Sequence, residues 1–126
     1  MRRTLLHSKI HRATVTGSDL NYIGSITLDP ELMEAANILE NERIWVLDVD
    51  NGARFDTYVI PGVRGDGEVQ LNGAAARLVH TGDKVILVTY AEFEANELEE
   101  HVPTVVHVAS DNSIVAVSRE TGVLEV

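Results

Sequence analysis

Apolar and polar residues alternate with a period of two along most of this chain, which is the spacing of half-buried strands rather than of helices. Thr4–Thr16 predicts a long strand, with Lys9, His11 and Ala13 on one face and Ser8, Ile10 and Arg12 on the other. Ser25–Leu28 predicts a short strand. Asp29-Pro30-Glu31 is a helix start: Asp as N-cap, Pro in the first turn and Glu against the dipole. That helix runs roughly to Asn37 with Leu32, Met33 and Ala36 inward. Arg43–Val49 and Ala53–Ile60 flank Asp50-Asn51-Gly52, a hairpin turn in which Asn-Gly accepts positive φ. Glu68–Leu71 is a strand, Asn72-Gly73 a turn, and Ala74–Leu78 a single helical turn. Lys84–Ala91 is the most hydrophobic strand. Glu92–Glu100 is acidic and helix-prone until Pro103 stops it. Thr104–Ala109 and Ser113–Ser118 form a last hairpin around Asp111-Asn112, and residues 119–126 read as a tail with little to anchor it. Many short strands and few helices predict a mainly β domain closed into a small barrel, which removes exposed sheet edges.

Composition narrows the function classes. A chain of 126 residues, 44% hydrophobic, is read as one domain with a real core. It holds no cysteine, which excludes disulfides, zinc–thiolate sites and thiol catalysis and fits a reducing compartment. A formal charge of -10 argues against nucleic acid and anionic membranes as partners. Positive charge is nevertheless concentrated in residues 1–18, where Arg2, Arg3, Lys9 and Arg12 precede the first acid, Asp19. Such a segment either neutralises acidic neighbours or lines a pocket for a small dianion. It has the Arg- and hydroxyl-rich composition of an organelle presequence, but Thr4–Thr16 lacks a helical apolar face. No run approaches the ~18–20 apolar residues of a membrane span. A mature, cytoplasmic protein is expected. The five histidines show no metal-ligand spacing, and no metal is expected.

The chemistry-bearing positions cluster in a few short motifs. Gly24-Ser25 joins two strand-like segments; taken alone it is an ordinary turn. Arg54, Asp56 and Tyr58 share a face of their strand, and Thr57 faces the other way if the strand is regular. A routine half-buried strand accounts for them equally well. Asn72-Gly73-Ala74-Ala75-Ala76 is a turn into a helix start whose small side chains leave backbone N–H groups open to an anion.

Together, Lys9-x-His11-Arg12, Tyr22-x-Gly24-Ser25, Asn51-Gly52-x-Arg54-x-x-Thr57-Tyr58 and Asn72-Gly73-Ala74-Ala75-Ala76 resemble the pyruvoyl-dependent aspartate decarboxylases over residues 2 to about 90. The resemblance implies a double-psi β-barrel assembled as a homotetramer. It implies that the Gly24–Ser25 bond cuts itself, giving chains 1–24 and 25–126, and that Ser25 becomes a covalent pyruvoyl group. That ketone forms a Schiff base with L-aspartate, which loses carbon dioxide to give β-alanine for pantothenate and coenzyme A synthesis. The resemblance assigns Ser25 and Tyr58 to catalysis, with Tyr58 as proton donor, since a phenol stays protonated at neutral pH. It assigns Tyr22, Gly24, Thr57, Asn72 and, more weakly, His11 to processing. Lys9, Arg54, Thr57, Gly73, Ala74 and Ala75 fall to substrate binding. Arg77 stands where a histidine commonly follows the alanines, and Leu47 where some members carry tryptophan. Two other readings fit the same residues: a barrel that serves only as an interaction module, and a zymogen whose cleavage needs a helper protein.

Overall fold

In the computed structural model, residues 1–119 are described. Nine strands form one continuous hydrogen-bonded order: β1 (Arg3–Thr14), β2 (Gly17–Asp19), β3 (Ser25–Leu28), β4 (Arg43–Asp48), β5 (Arg54–Pro61), β6 (Val69–Asn72), β7 (Lys84–Phe93), β8 (Thr104–Val108) and β9 (Ile114–Ser118). The spatial order is β2-β6-β3-β5-β4-β7-β1-β8-β9. Three neighbours are parallel (β1 with β8, β2 with β6, β3 with β5) and the rest antiparallel. One helix, α1 (Pro30–Ala36), follows β3. Among the described residues no helix is long and apolar enough to cross a membrane.

The sheet curls because β1 runs through Val15 and Thr16 into β2, at the far edge of the strand order. Thr16 fixes that crossing: its N–H donates to the Val69 carbonyl at 2.8 Å, and its Oγ1 accepts from the Val69 N–H at 2.9 Å. Inside the roll lie Ile10, Ile26, Leu28, Ile44, Val46, Val59, Leu71, Val85 and Leu87, all fully buried, with Leu32 and Met33 of α1 as a lid. Burying each such aliphatic side chain contributes about 1.5–3 kcal/mol against leaving it in water. Asp29 caps α1 as expected and does more. Its buried carboxylate also accepts from the N–H groups of Gly65 and Gly67, the latter at 2.8 Å, tying the helix start to the loop before β6.

Two sequence expectations need correction, and one strand was not anticipated. The alternation along β1 breaks: Arg12 sits at φ 60 in a bulge between Ile10 and Ala13, where two residues of β1 oppose one of β7. Ala13 therefore returns to the buried face of Ile10, while Arg12 is exposed. Gly17–Asp19 is a strand that three polar or small residues do not announce; it exists because β6 offers a parallel partner. Glu92–Glu100 is not helical. β7 runs on to Phe93 because β1 pairs with it as far as Arg3, and only Ala95–Glu97 makes a 3-10 turn. Of the expected tail, Arg119 bonds Thr104 Oγ1 at 2.7 Å, and residues 120–126 lie outside the described part.

Candidate active site

Ser25 opens β3 and is 1% exposed. β3 pairs antiparallel with β6, which puts Ser25 directly opposite Asn72. The Asn72 side-chain amide Nδ2 donates to Ser25 Oγ at 2.9 Å and to Thr27 Oγ1 at 2.9 Å. Its Oδ1 accepts from Gln70 Nε2 at 2.9 Å. Gln70 therefore sets which way the Asn72 amide faces, and Asn72 in turn presents N–H to the serine oxygen. The hydroxyl itself points back along the chain, toward the Ile23 carbonyl at 3.4 Å.

Immediately after Asn72 the chain turns through Gly73 at φ 64 into the 3-10 turn Gly73–Arg77. A Cβ on Gly73 would lie 2.7 Å from Gly24 Cα and 2.8 Å from Gly24 N. Gly73 is thus pressed against the residue before Ser25. Gly24 itself does not have positive φ, and a Cβ there would meet nothing within 4 Å. The close approach and left-handed backbone belong to Gly73 and not to Gly24.

A pocket of about 290 Å³ opens on this junction, lined by Gly24, Phe55, Asp56, Thr57, Asn72, Ala74, Ala75 and Leu78. Thr57 reaches it from the less exposed face of β5, which it shares with Phe55 and Val59; of the exposed face only Asp56 borders the pocket, and Arg54 and Tyr58 do not. One chain thus brings together Gly24, Ser25, Thr57, Asn72, Gly73, Ala74 and Ala75. It leaves Tyr58, 37% exposed, and the exposed Arg54 on the other side of the strand. Tyr22 is half exposed just upstream. Lys9 and His11 lie on β1, separated from β5 by β4 and β7.

The charged groups on these outer faces differ in their pairing. Arg43 Nε donates to Asp56 Oδ2 at 2.6 Å, occupying the carboxylate between Arg54 and Tyr58. Among the described residues neither Arg54 nor Lys9 has a carboxylate partner. His11 packs edge-on against His107, centroids 5.9 Å apart, and both its ring nitrogens are buried without a hydrogen bond. Burial first, then Lys9, His107 and Arg12, push its pKa below the ordinary histidine value.

Gln70 and Thr27 are absent from the sequence-based site. Each is two residues from a named member, Asn72 and Ser25 respectively, on the same strand face, and that i, i+2 spacing was the available signal.

The buried serine suits a covalent carbonyl group formed from its own atoms. Its oxygen already has an amide donor, and the adjoining pocket is open and lined by small residues. Comparison with known proteins identifies the family. Residues 1–115 match the family described as aspartate decarboxylase. The aspartate 1-decarboxylase of Heliobacterium modesticaldum is 58% identical over 119 residues, covering 94% of this chain and 90% of the relative. That of Clostridium beijerinckii is 58% identical over 111 residues, 88% and 90%. That of Pelotomaculum thermopropionicum is 60% identical over 114 residues, 90% and 86%. With the matched region spanning every residue of the pocket, the chain belongs to the aspartate decarboxylase family.

Proposed function

We propose that this chain is a self-processing, pyruvoyl-dependent aspartate 1-decarboxylase that converts L-aspartate to β-alanine and carbon dioxide. The observation that carries the reading is the buried Ser25 hydroxyl, held by Asn72 at the head of β3, with the Gly24 junction bordering the pocket.

Processing is chemistry of the chain itself. Ser25 Oγ attacks the Gly24 carbonyl carbon; the Gly24–Ser25 amide bond breaks as the ester forms, and the Ser25 nitrogen takes a proton. Loss of the Ser25 α-proton then expels the Gly24 carboxylate from Cβ. Water adds to the resulting dehydroalanine and ammonia leaves, giving chains 1–24 and 25–126. Asn72 Nδ2 orients the attacking oxygen. Thr57 Oγ1, in the same pocket, stabilises the oxyanion at the Gly24 carbonyl. When formed, the pyruvoyl group supplies an electron sink for loss of the substrate α-carboxylate.

The protein's share of turnover is binding, orientation and a proton. Arg54 and Lys9, without acidic partners of their own, hold the substrate carboxylates, Arg54 through a planar fork. Backbone N–H groups of the Gly73-Ala74-Ala75 turn approach the ligand where side chains are small. Tyr58 Oη delivers the proton that replaces the departing carboxylate. These three side chains lie outside the one-chain pocket, so we place their meeting with it in a homotetramer. We assign this chemistry to the cytoplasm, in line with a cysteine-free sequence.

One observation favours a variant of this reading. Ser25 is not at positive φ and the bond before it is not cis, so the intact junction is no backbone outlier, which favours a helper protein that distorts it. The test of both is a mass spectrum of the purified protein under denaturing conditions. Two chains meeting at Gly24/Ser25, the longer lighter by ammonia than a serine terminus, are expected. An intact chain that converts only on adding cell extract identifies the helper route. An intact chain under every condition refutes the function.

A further inference from the structure

The β4–β5 hairpin and the turn before β7 bring three carboxylates together away from the pocket. Asp48, the last residue of β4, is 3% exposed. Its Oδ1 accepts from the N–H groups of Asp50 at 2.8 Å and Asn51 at 3.2 Å, but its buried Oδ2 has no hydrogen-bond partner. Asp83 Oδ2 accepts from the His80 N–H at 3.0 Å, and Asp50 Oδ2 from the Lys84 N–H at 2.8 Å. One oxygen of each of the three lies within 4.8 Å of the other two. Backbone amides thus orient all three groups toward one another, which mutual repulsion alone would oppose.

Among the described residues no salt bridge reaches them. No lysine or arginine pairs with any of the three, and the Lys84 ammonium instead bonds Thr14 Oγ1 at 2.5 Å. A buried carboxylate oxygen facing two further acids is costly unless something positive fills the gap. The candidates are a proton and a cation.

We propose that Asp48, Asp50 and Asp83 bind a hard divalent cation of the calcium class. All-oxygen, anionic donors select calcium, magnesium or manganese over zinc or copper. Calcium tolerates an irregular ligand set and takes additional waters, which the exposed Asp50 leaves room for. The histidine spacing that argues against a metal in this sequence does not bear on a site made of carboxylates. Bound there, the ion locks the 49–53 turn to the start of β7, and that turn leads straight into Arg54.

The test is isothermal titration calorimetry of the full chain, stripped with chelator, at pH 7. Calcium chloride is titrated to about 5 mM, several times the ~1 mM dissociation constant of the weakest calcium modules. Saturable binding of one ion per chain is expected. Asp83→Asn and Asp50→Asn should each weaken it at least about tenfold, because affinity follows the number of charged ligands. Asp48→Asn is a third variant, used only if circular dichroism shows it folded. Absence of saturable heat overturns the proposal and leaves a shared proton as the occupant. Binding undiminished in both Asp83→Asn and Asp50→Asn also overturns it, because the ion then sits elsewhere. Neither outcome touches the decarboxylase reading, whose mass-spectrometric test uses different residues.

Discussion

Gly73→Ala, compared with Gly24→Ala, tests where the backbone of the processing junction is constrained. Gly73 is left-handed at φ 64, and a methyl group there falls 2.7 Å from Gly24 Cα and 3.0 Å from the Tyr22 carbonyl oxygen. Those neighbours are backbone atoms, which cannot rotate aside as a side-chain tip can. The left-handed conformation costs alanine about 1–2 kcal/mol over glycine, and forcing an extra carbon into a packed contact costs about 1–3 kcal/mol. The expected destabilisation is therefore about 2–5 kcal/mol. At Gly24 neither term applies: its φ is not positive and the space is open. Gly24→Ala should stay within about 0.5 kcal/mol, as surface substitutions away from special features do.

Both variants belong in a Ser25→Ala background, so that every chain compared is intact. Urea unfolding followed by Trp45 fluorescence, at one protein concentration, gives the midpoints. With a slope of about 2 kcal/mol per molar urea, Gly73→Ala lowers the midpoint by roughly 1–2.5 M and Gly24→Ala hardly moves it. With Ser25 restored, Gly73→Ala should also slow self-cleavage, because the added carbon displaces the Gly24 segment. Equal midpoints for the two variants, or a larger loss at Gly24, would refute the assignment of the constraint to Gly73.

Three further substitutions probe separate parts of the argument. Tyr58→Phe should still cleave itself but decarboxylate about 10²–10⁴-fold more slowly, the usual worth of a positioned acid; undiminished turnover removes Tyr58 from that role. Arg54→Ala should raise KM for aspartate far more than it lowers kcat, and an unchanged KM assigns Arg54 to structure. At Asp29, burial pushes the pKa up, but the N–H groups of Glu31, Gly67 and Gly65 and the Arg64 charge outweigh it, leaving the folded pKa below the ordinary one. Its stabilisation is thus present above the unfolded pKa of about 3.9 and is lost as pH falls through the lower folded value. Asp29→Asn should therefore be less stable than the parent at pH 7, with the gap narrowing in acid; a gap that is constant with pH would show that the Asp29 charge contributes nothing.

What could be read from the sequence follows from the range of the interactions involved. Ser25–Leu28, the Asp29-capped helix and the Asn51-Gly52 hairpin are local, each decided by residues within one turn of each other, and each is found where expected. Gly17–Asp19 and the extension of β7 to Phe93 depend on partners about fifty and ninety residues away, β6 and β1, and their own residues argue for loop and helix. The bulge at Arg12 is likewise invisible, since nothing about an arginine announces φ 60. In the site, the motif residues were legible as a set. That Thr57 faces the pocket and Tyr58 faces away is also fixed by the alternation of β5. What pattern could not supply was the pairing of Ser25 with Asn72, and hence the roles of Gln70 and Thr27, because it needs the register of β3 on β6.

The split between the two faces of β5 leads to a last prediction. Every group proposed to act in cleavage at Gly24–Ser25, apart from the half-exposed Tyr22 and the distant His11, is gathered within one chain around one pocket. Lys9, Arg54 and Tyr58, proposed to act in turnover, are on other faces of that same chain. If a second copy is what joins them, cleavage and turnover respond differently to concentration. Cleavage is then first order, with one rate constant across a hundredfold dilution of freshly refolded chain. Specific decarboxylase activity of the processed protein instead falls once dilution passes the dissociation constant of the assembly, and returns on reconcentration. Size-exclusion chromatography with light scattering, run on the same dilutions, locates that midpoint independently. Activity per chain that stays constant after the particles have dissociated to monomers would mean that one chain closes its own site, and that β5 must rearrange to bring Tyr58 round to Ser25.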